Sequence, residues 1–114
     1  DTREKTVCQL QEAGAVAAEL LKTIQKDMFR RAKEHQKSHI TDVASYGEFK
    51  DAVEHKPGFI RAMWCGDVEC ENKIKEDTTA TSRCMPLEGE ETVSDVCVCC
   101  GKPAHKLVYW GKAY

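Results

Sequence analysis

The chain has 114 residues, 41% hydrophobic and 32% charged, with 17 Lys and Arg set against 19 Asp and Glu for a formal charge of -2. That length suits one domain with a modest core, and the balance of charge offers no surplus of cations to hold a polyanion. No apolar run approaches the roughly 20 residues that span a bilayer and no leader-like segment opens the chain, so the sequence reads as cytoplasmic, with no membrane partner.

In chain order, residues 5–10 (KTVCQL) read as a short strand. From residue 13 to 37 the period changes: Val16, Leu20, Ile24 and Met28 recur every fourth position, with Ala17, Leu21 and Ala32 widening the stripe. This predicts one long amphipathic helix of roughly 36 Å. Lys22, Lys26, Arg30, Lys33 and Lys37, broken up by Glu19, Asp27 and Glu34, read as a solvated face rather than an RNA-facing stripe. Ser45 and Glu48 form a capping box for a second helix that carries Phe49 and Val53 inward and ends at His55, Lys56, Pro57 and Gly58.

FIRAMW, residues 59–64, reads as a buried strand. Residues 67–77 read as a short helix with Asp67 as N-cap and Val68 and Ile74 as its apolar positions. Residues 81–86 form a further strand, 87–95 an acidic loop, and KLVYW, 106–110, the closing strand. The alternation predicts an α/β (α+β) two-layer sandwich: a mixed β-sheet with helices on one face and one long N-terminal helix. Internal repeats and low-complexity tracts are absent.

Seven cysteines make an odd number, and Cys99 and Cys100 are adjacent and poorly placed to pair with each other. Reduced thiolates that bind a metal fit this count better than a disulfide framework. The segment MWCGDVEC begins like a thiol-redox site, but four residues separate Cys65 from Cys70, whereas redox chemistry needs two. Cys97-Val98-Cys99-Cys100-Gly101 is a zinc knuckle, in which two sulfurs face one ion and Gly permits the left-handed turn that closes the loop. Tetrahedral Zn²⁺ needs four ligands, and Cys65 with Cys70 is the other closely spaced pair.

Cys97 can be joined by Cys99 or by Cys100, and Gly101 favours Cys100. Cys8 and Cys84 read as small buried strand residues, His105 as the best substitute ligand, and His35, His39 and His55 as solvated. Four cysteines would close the coordination shell, which points to a structural zinc site rather than a catalytic one. The H-x-E with P-C-x-x-C pattern of zinc deaminases, a phosphate-binding glycine loop and a Ser/His/Asp set are all missing, so no catalytic residue is assigned.

FIRAMWCGDVECENKIKEDTTATSRCMP followed by CVCCGKPAHKLVYWGKAY resembles the C-terminal zinc domain of prolyl-tRNA synthetases of the archaeal and eukaryotic type. QKDMFRRAKEH and SYGEFKDAV look like its long helix and the helix before the zinc region, and DTREKTVCQL is similar to the segment leaving the anticodon-binding domain. The resemblance implies residues 1–12 as the end of a linker and 13–114 as the C-terminal zinc-binding domain, a non-catalytic piece of a longer ligase, as the start at Asp1 rather than Met also suggests.

It further implies a class II enzyme that activates proline with ATP and Mg²⁺ and ligates it to tRNA(Pro). The partners would be the catalytic and anticodon-binding domains, tRNA(Pro) and a second copy in a homodimer. By motif the zinc ligands are Cys65, Cys70, Cys97 and Cys100. Family members carry C-x-x-C or C-x-C before Gly-Lys, and CVCC departs from both by its additional thiol, which leaves Cys99 as the alternative ligand. Tyr114, a terminal aromatic shared with the family, is expected to make an interdomain contact near the catalytic site. The competing readings are a stand-alone zinc adaptor for a protein or RNA partner, and a thiol oxidoreductase.

Overall fold

The structure is a computed structural model that describes residues 2–87 and 91–112. It divides into two compact units, residues 1–37 and 38–114. In the first, one 3-10 turn (Leu10–Glu12) leads into α1, Ala13–Ser38, a helix of 26 residues and about 39 Å. Lys22 pairs with Glu19, and Arg30 with Asp27 and Glu34, at the three- and four-residue spacings that bring helical side chains together. The helix buries none of its own residues. The strand expected at residues 5–10 is not formed, because a segment without a neighbouring strand has nothing to pair its backbone groups in a ladder. Cys8, expected to be buried there, is exposed. Among the described residues no helix is long and apolar enough to cross a membrane.

The second unit holds a four-stranded mixed sheet in the order β1-β2-β4-β3. The strands are β1 (Ile40–Asp42), β2 (Phe59–Trp64), β3 (Ala80–Cys84) and β4 (Lys106–Lys112), with helices α2 (Tyr46–His55) and α3 (Val68–Thr78) between them. β1 runs parallel to β2, which needs a crossover; α2 supplies it. β4 lies antiparallel to both β2 and β3. The fourth strand is thus Ile40–Asp42, three residues too short to show a period in the sequence.

α2 begins as its sequence requires. Ser45 accepts the Glu48 N–H while the Glu48 carboxylate receives the Ser45 N–H, satisfying two donors that the helix cannot satisfy itself. α2 sends Phe49 and Ala52, and α3 sends Ile74, onto the sheet face formed by Ile60, Ala62, Val108 and Trp110. Trp110 meets Phe49 edge-on at 5.9 Å between ring centres. Tyr46 donates to Asp77 at 2.7 Å and so ties α2 to α3; burial and this carboxylate push its hydroxyl pKa up.

Val68 does not face inward but is 61% exposed. The buried stripe of α3 is Cys70, Ile74 and Thr78, four residues apart, and Val68 lies two positions, or about 200°, from Cys70. Cys84 is likewise exposed rather than interior, because a register shift between Ser82 and Cys84 interrupts the alternation of β3.

On the opposite sheet face Arg61 stands directly across from Asp42. Its Nε and Nη2 donate to the two Asp42 oxygens at 2.6 and 2.7 Å, and Nη1 donates to Glu91 at 2.6 Å. The Arg61 hydrogen bonds hold the Asp42 carboxyl below its ordinary range against a smaller opposing effect of burial. Arg61→Met keeps the stem and removes the fork. We expect a loss of about 1–2 kcal/mol at pH 7, toward the lower end because Asp42 and Glu91 are 46% and 70% exposed. The folded Asp42 pKa lies below the unfolded value of about 3.9, so its contribution is complete above that value and lost as pH falls through the folded pKa. Urea titrations of both proteins should therefore converge in that acid range; a gap that stays constant to pH 2 would contradict the assignment.

Candidate metal centre

Cys65 is the first residue beyond β2. Gly66 follows with φ +91°, in the left-handed region where a side chain is strained, and turns the chain into α3. Asp67 caps that helix by accepting the Glu69 N–H at 3.0 Å, and Cys70, in the first turn, comes back toward Cys65. The Trp64 indole N–H donates to the Asp67 carbonyl at 3.0 Å and braces the same turn. Trp64, which gave MWC its redox look, is therefore a strut.

The second pair is presented by a small hairpin. Val96 bridges Pro103, Cys97 N–H donates to the Lys102 carbonyl at 2.7 Å, Ala104 N–H to Asp95 at 3.1 Å, and Gly101 N–H to Cys97 at 3.0 Å. Gly101 closes the loop at φ +71°, as the knuckle pattern requires.

The sulfurs of Cys65, Cys70, Cys97 and Cys100 all lie within 4.8 Å of one another and could hold a metal ion. Cys65 is 3.7 Å from Cys70 and 3.8 Å from Cys100. A disulfide needs about 2.05 Å, whereas four sulfurs bound tetrahedrally at about 2.3 Å stand about 3.8 Å apart. The donor set fits a tetrahedral thiolate-bound ion. Cys99 is not in the group; it is half-buried and packs against both clusters of the core. His105 is exposed and outside the group. Tyr114 lies outside the described residues.

Burial pushes the Cys65, Cys70 and Cys99 thiols up. Burial acts on Cys97 in the same sense, but the backbone N–H groups of Cys100, Cys99 and Cys65 outweigh it and bring that thiol down to about 7. Cys97 is thus ready to ionise near neutral pH, through the amide donors that a knuckle aims at its first sulfur. Lys106 lies over the Trp64 ring at 5.5 Å and reaches the space beside Gly66, the residue after Cys65. No residue of the cluster resembles a nucleophile–base pair.

The family model for the C-terminal region of prolyl-tRNA synthetase matches residues 46–114, a stretch that includes all four clustered cysteines. Over all 114 residues the chain is 67% identical to the proline–tRNA ligase of Agathobacter rectalis and 59% identical to that of Lachnospira eligens, spanning 24% of the length of each. The crystal structure of prolyl-tRNA synthetase from Cryptosporidium parvum, complexed with L-proline and AMP, superposes on the whole chain with a TM-score of 0.89 at 28% identity, again over 24% of its own length. The matched stretch carries both cysteine pairs, three of the four strands and the two helices that back the sheet, and on this ground the chain belongs to the family of prolyl-tRNA synthetase C-terminal domains.

Proposed function

We propose that this chain is the C-terminal part of a cytoplasmic proline–tRNA ligase and serves there as a non-catalytic domain built around one zinc ion held by Cys65, Cys70, Cys97 and Cys100. The observation that carries the reading is 67% identity to such a ligase across every residue of the chain. The complete enzyme would activate proline with ATP and Mg²⁺ and ligate it to tRNA(Pro). Catalytic and anticodon-binding domains of the same polypeptide, and a second copy in a homodimer, would be its partners.

Zinc suits the site because it accepts tetrahedral thiolate coordination without redox change. A shell closed by four thiolates leaves no position for water or substrate, which makes its contribution structural. It would clamp the β2–α3 turn to the 95–104 hairpin, and because the unfolded chain offers no such site, its binding free energy adds to folding.

Elemental analysis should find one zinc per chain, and the protein should be colourless, which an iron–thiolate centre is not. Cys65→Ser, Cys70→Ser, Cys97→Ser and Cys100→Ser should each lose the metal and lower Tm by roughly 10–20 °C. Cys8→Ser, Cys84→Ser and Cys99→Ser should keep it. Zinc lost from Cys99→Ser but retained by Cys97→Ser would overturn the ligand set.

The isolated chain should neither bind proline nor support proline-dependent exchange of pyrophosphate into ATP, since phosphoryl chemistry needs a metal with free positions and aligned cations. Exchange activity that survives rigorous purification would refute the non-catalytic role. Tyr114 is proposed to touch the catalytic domain of the complete enzyme. Deleting it there should slow proline activation while zinc content and Tm stay unchanged; unaltered activation would remove that contact from the account.

A further inference from the structure

The end of the sheet remote from the cysteines, where β2 begins and β4 finishes, opens into a cleft of about 800 Å³. One wall is apolar, made by Val53, Pro57 and Phe59, and Phe59 is 45% exposed. Three cations line the rest: Lys56, Arg83 and Lys112.

Arg83 is placed there by the irregularity of β3. The register shift between Ser82 and Cys84 takes residue 83 out of the strand's alternation, as bulges do when they redirect a side chain. Its Nη2 reaches the carbonyls of Gly111 and Lys112 at 3.5 and 3.4 Å, long bonds that leave most of the guanidinium's five donors unspent. A Cβ at position 111 would stand 3.1 Å from Arg83 Nε and 3.4 Å from the Phe59 ring, so Gly111 gives the guanidinium and the ring room to lie over β4. No carboxylate among the described residues is paired with Lys56, Arg83 or Lys112. Arg61, one strand away, has two carboxylates.

We propose that this cleft seats an acidic segment, anchored by an apolar side chain, from the remainder of the ligase polypeptide. Three cations that meet no carboxylate among the described residues, beside an apolar wall on a chain whose formal charge is -2, complement a carboxylate next to an aliphatic or aromatic group. A phosphate backbone would use the cations and leave the wall idle. The chain spans 24% of its relatives, so roughly three quarters of such a polypeptide is tethered to it, and a tethered segment reaches effective concentrations in the millimolar range. This inference rests on the proposed membership in a longer ligase.

The test is zero-length cross-linking of the full-length enzyme with a water-soluble carbodiimide, read by peptide mapping. An amide should form between Nζ of Lys56 or Lys112 and an Asp or Glu carboxylate upstream of this chain, the carboxylate oxygen leaving with the reagent as its urea. Arg83→Ala should lower that yield about fivefold at unchanged zinc content. Cross-links confined to residues 1–114 would overturn the proposal. The same holds for cross-links to a second, isotopically labelled copy, for lysines protected from acetylation by tRNA alone, or for an Arg83→Ala yield equal to wild type. An enzyme without zinc or without ligase activity would refute the proposed function while leaving the cross-link map readable.

Discussion

The Met63 carbonyl accepts the Val98 N–H at 3.0 Å, and the position of the cysteine cluster follows from that bond. β1 pairs with β2 only as far as Arg61, and the next carbonyl on that edge would be a buried acceptor without a strand to meet it, at a cost of about 1–3 kcal/mol. The 95–104 hairpin fills the vacancy. Its docking point lies two residues before Cys65, which brings Cys97 and Cys100 against the end of β2. Met63 and Leu107, neighbours across β2 and β4, pack with Cys70, Cys97 and Ala104 beneath the sulfurs. The shortness of β1 is therefore a condition for the cluster.

Four thiols so close together are mutually unfavourable once ionised; burial and neighbouring sulfurs push Cys65 and Cys70 up, while Cys97, cradled by amide donors, comes down. A divalent ion reverses that balance, since it demands thiolates and is attracted by all four. Under the proposed occupancy the centre carries a formal -2.

Signals in the sequence were sufficient where an element depends on its own residues. The Ser45–Glu48 capping box, the four-residue stripe of α1 and the FIRAMW strand are local, and the structure has them where the pattern puts them. The elements that misled are those decided by neighbours. KTVCQL reads as a strand but pairs with no strand among the described residues, and Ile40–Asp42 shows no period yet pairs with β2 because α2 returns the chain beside it. Val68 is apolar and lies outside the Cys70–Ile74–Thr78 stripe, while Cys84 sits past a shift that no composition announces. For the cluster, C-x-x-C-G carried its own geometry in Gly101. The pairing of that knuckle with a C-x₄-C turn was legible only as a count of ligands, because the bond that joins them runs between backbone atoms and leaves no mark on residue type.

The two ends of the sheet are built in opposite ways. At the Trp64–Lys106 end the chain segments are tied by backbone hydrogen bonds and gathered sulfurs. At the Ile60–Trp110 end, four residues or about 13 Å along the same strand pair, the sheet stops against an open cleft lined by Lys56, Arg83 and Lys112. Between them lie Ile60, Ala62, Val108 and Trp110, buried at 2% exposure or less, and close-packed interiors of that kind transmit displacement instead of absorbing it. Loosening the cysteine end would let β2 and β4 shift relative to one another, and Phe59 and Gly111 would move with them. Under the proposed occupancy of both ends, the clamp at the cysteine end would hold the shape of the surface that the cleft presents at the other.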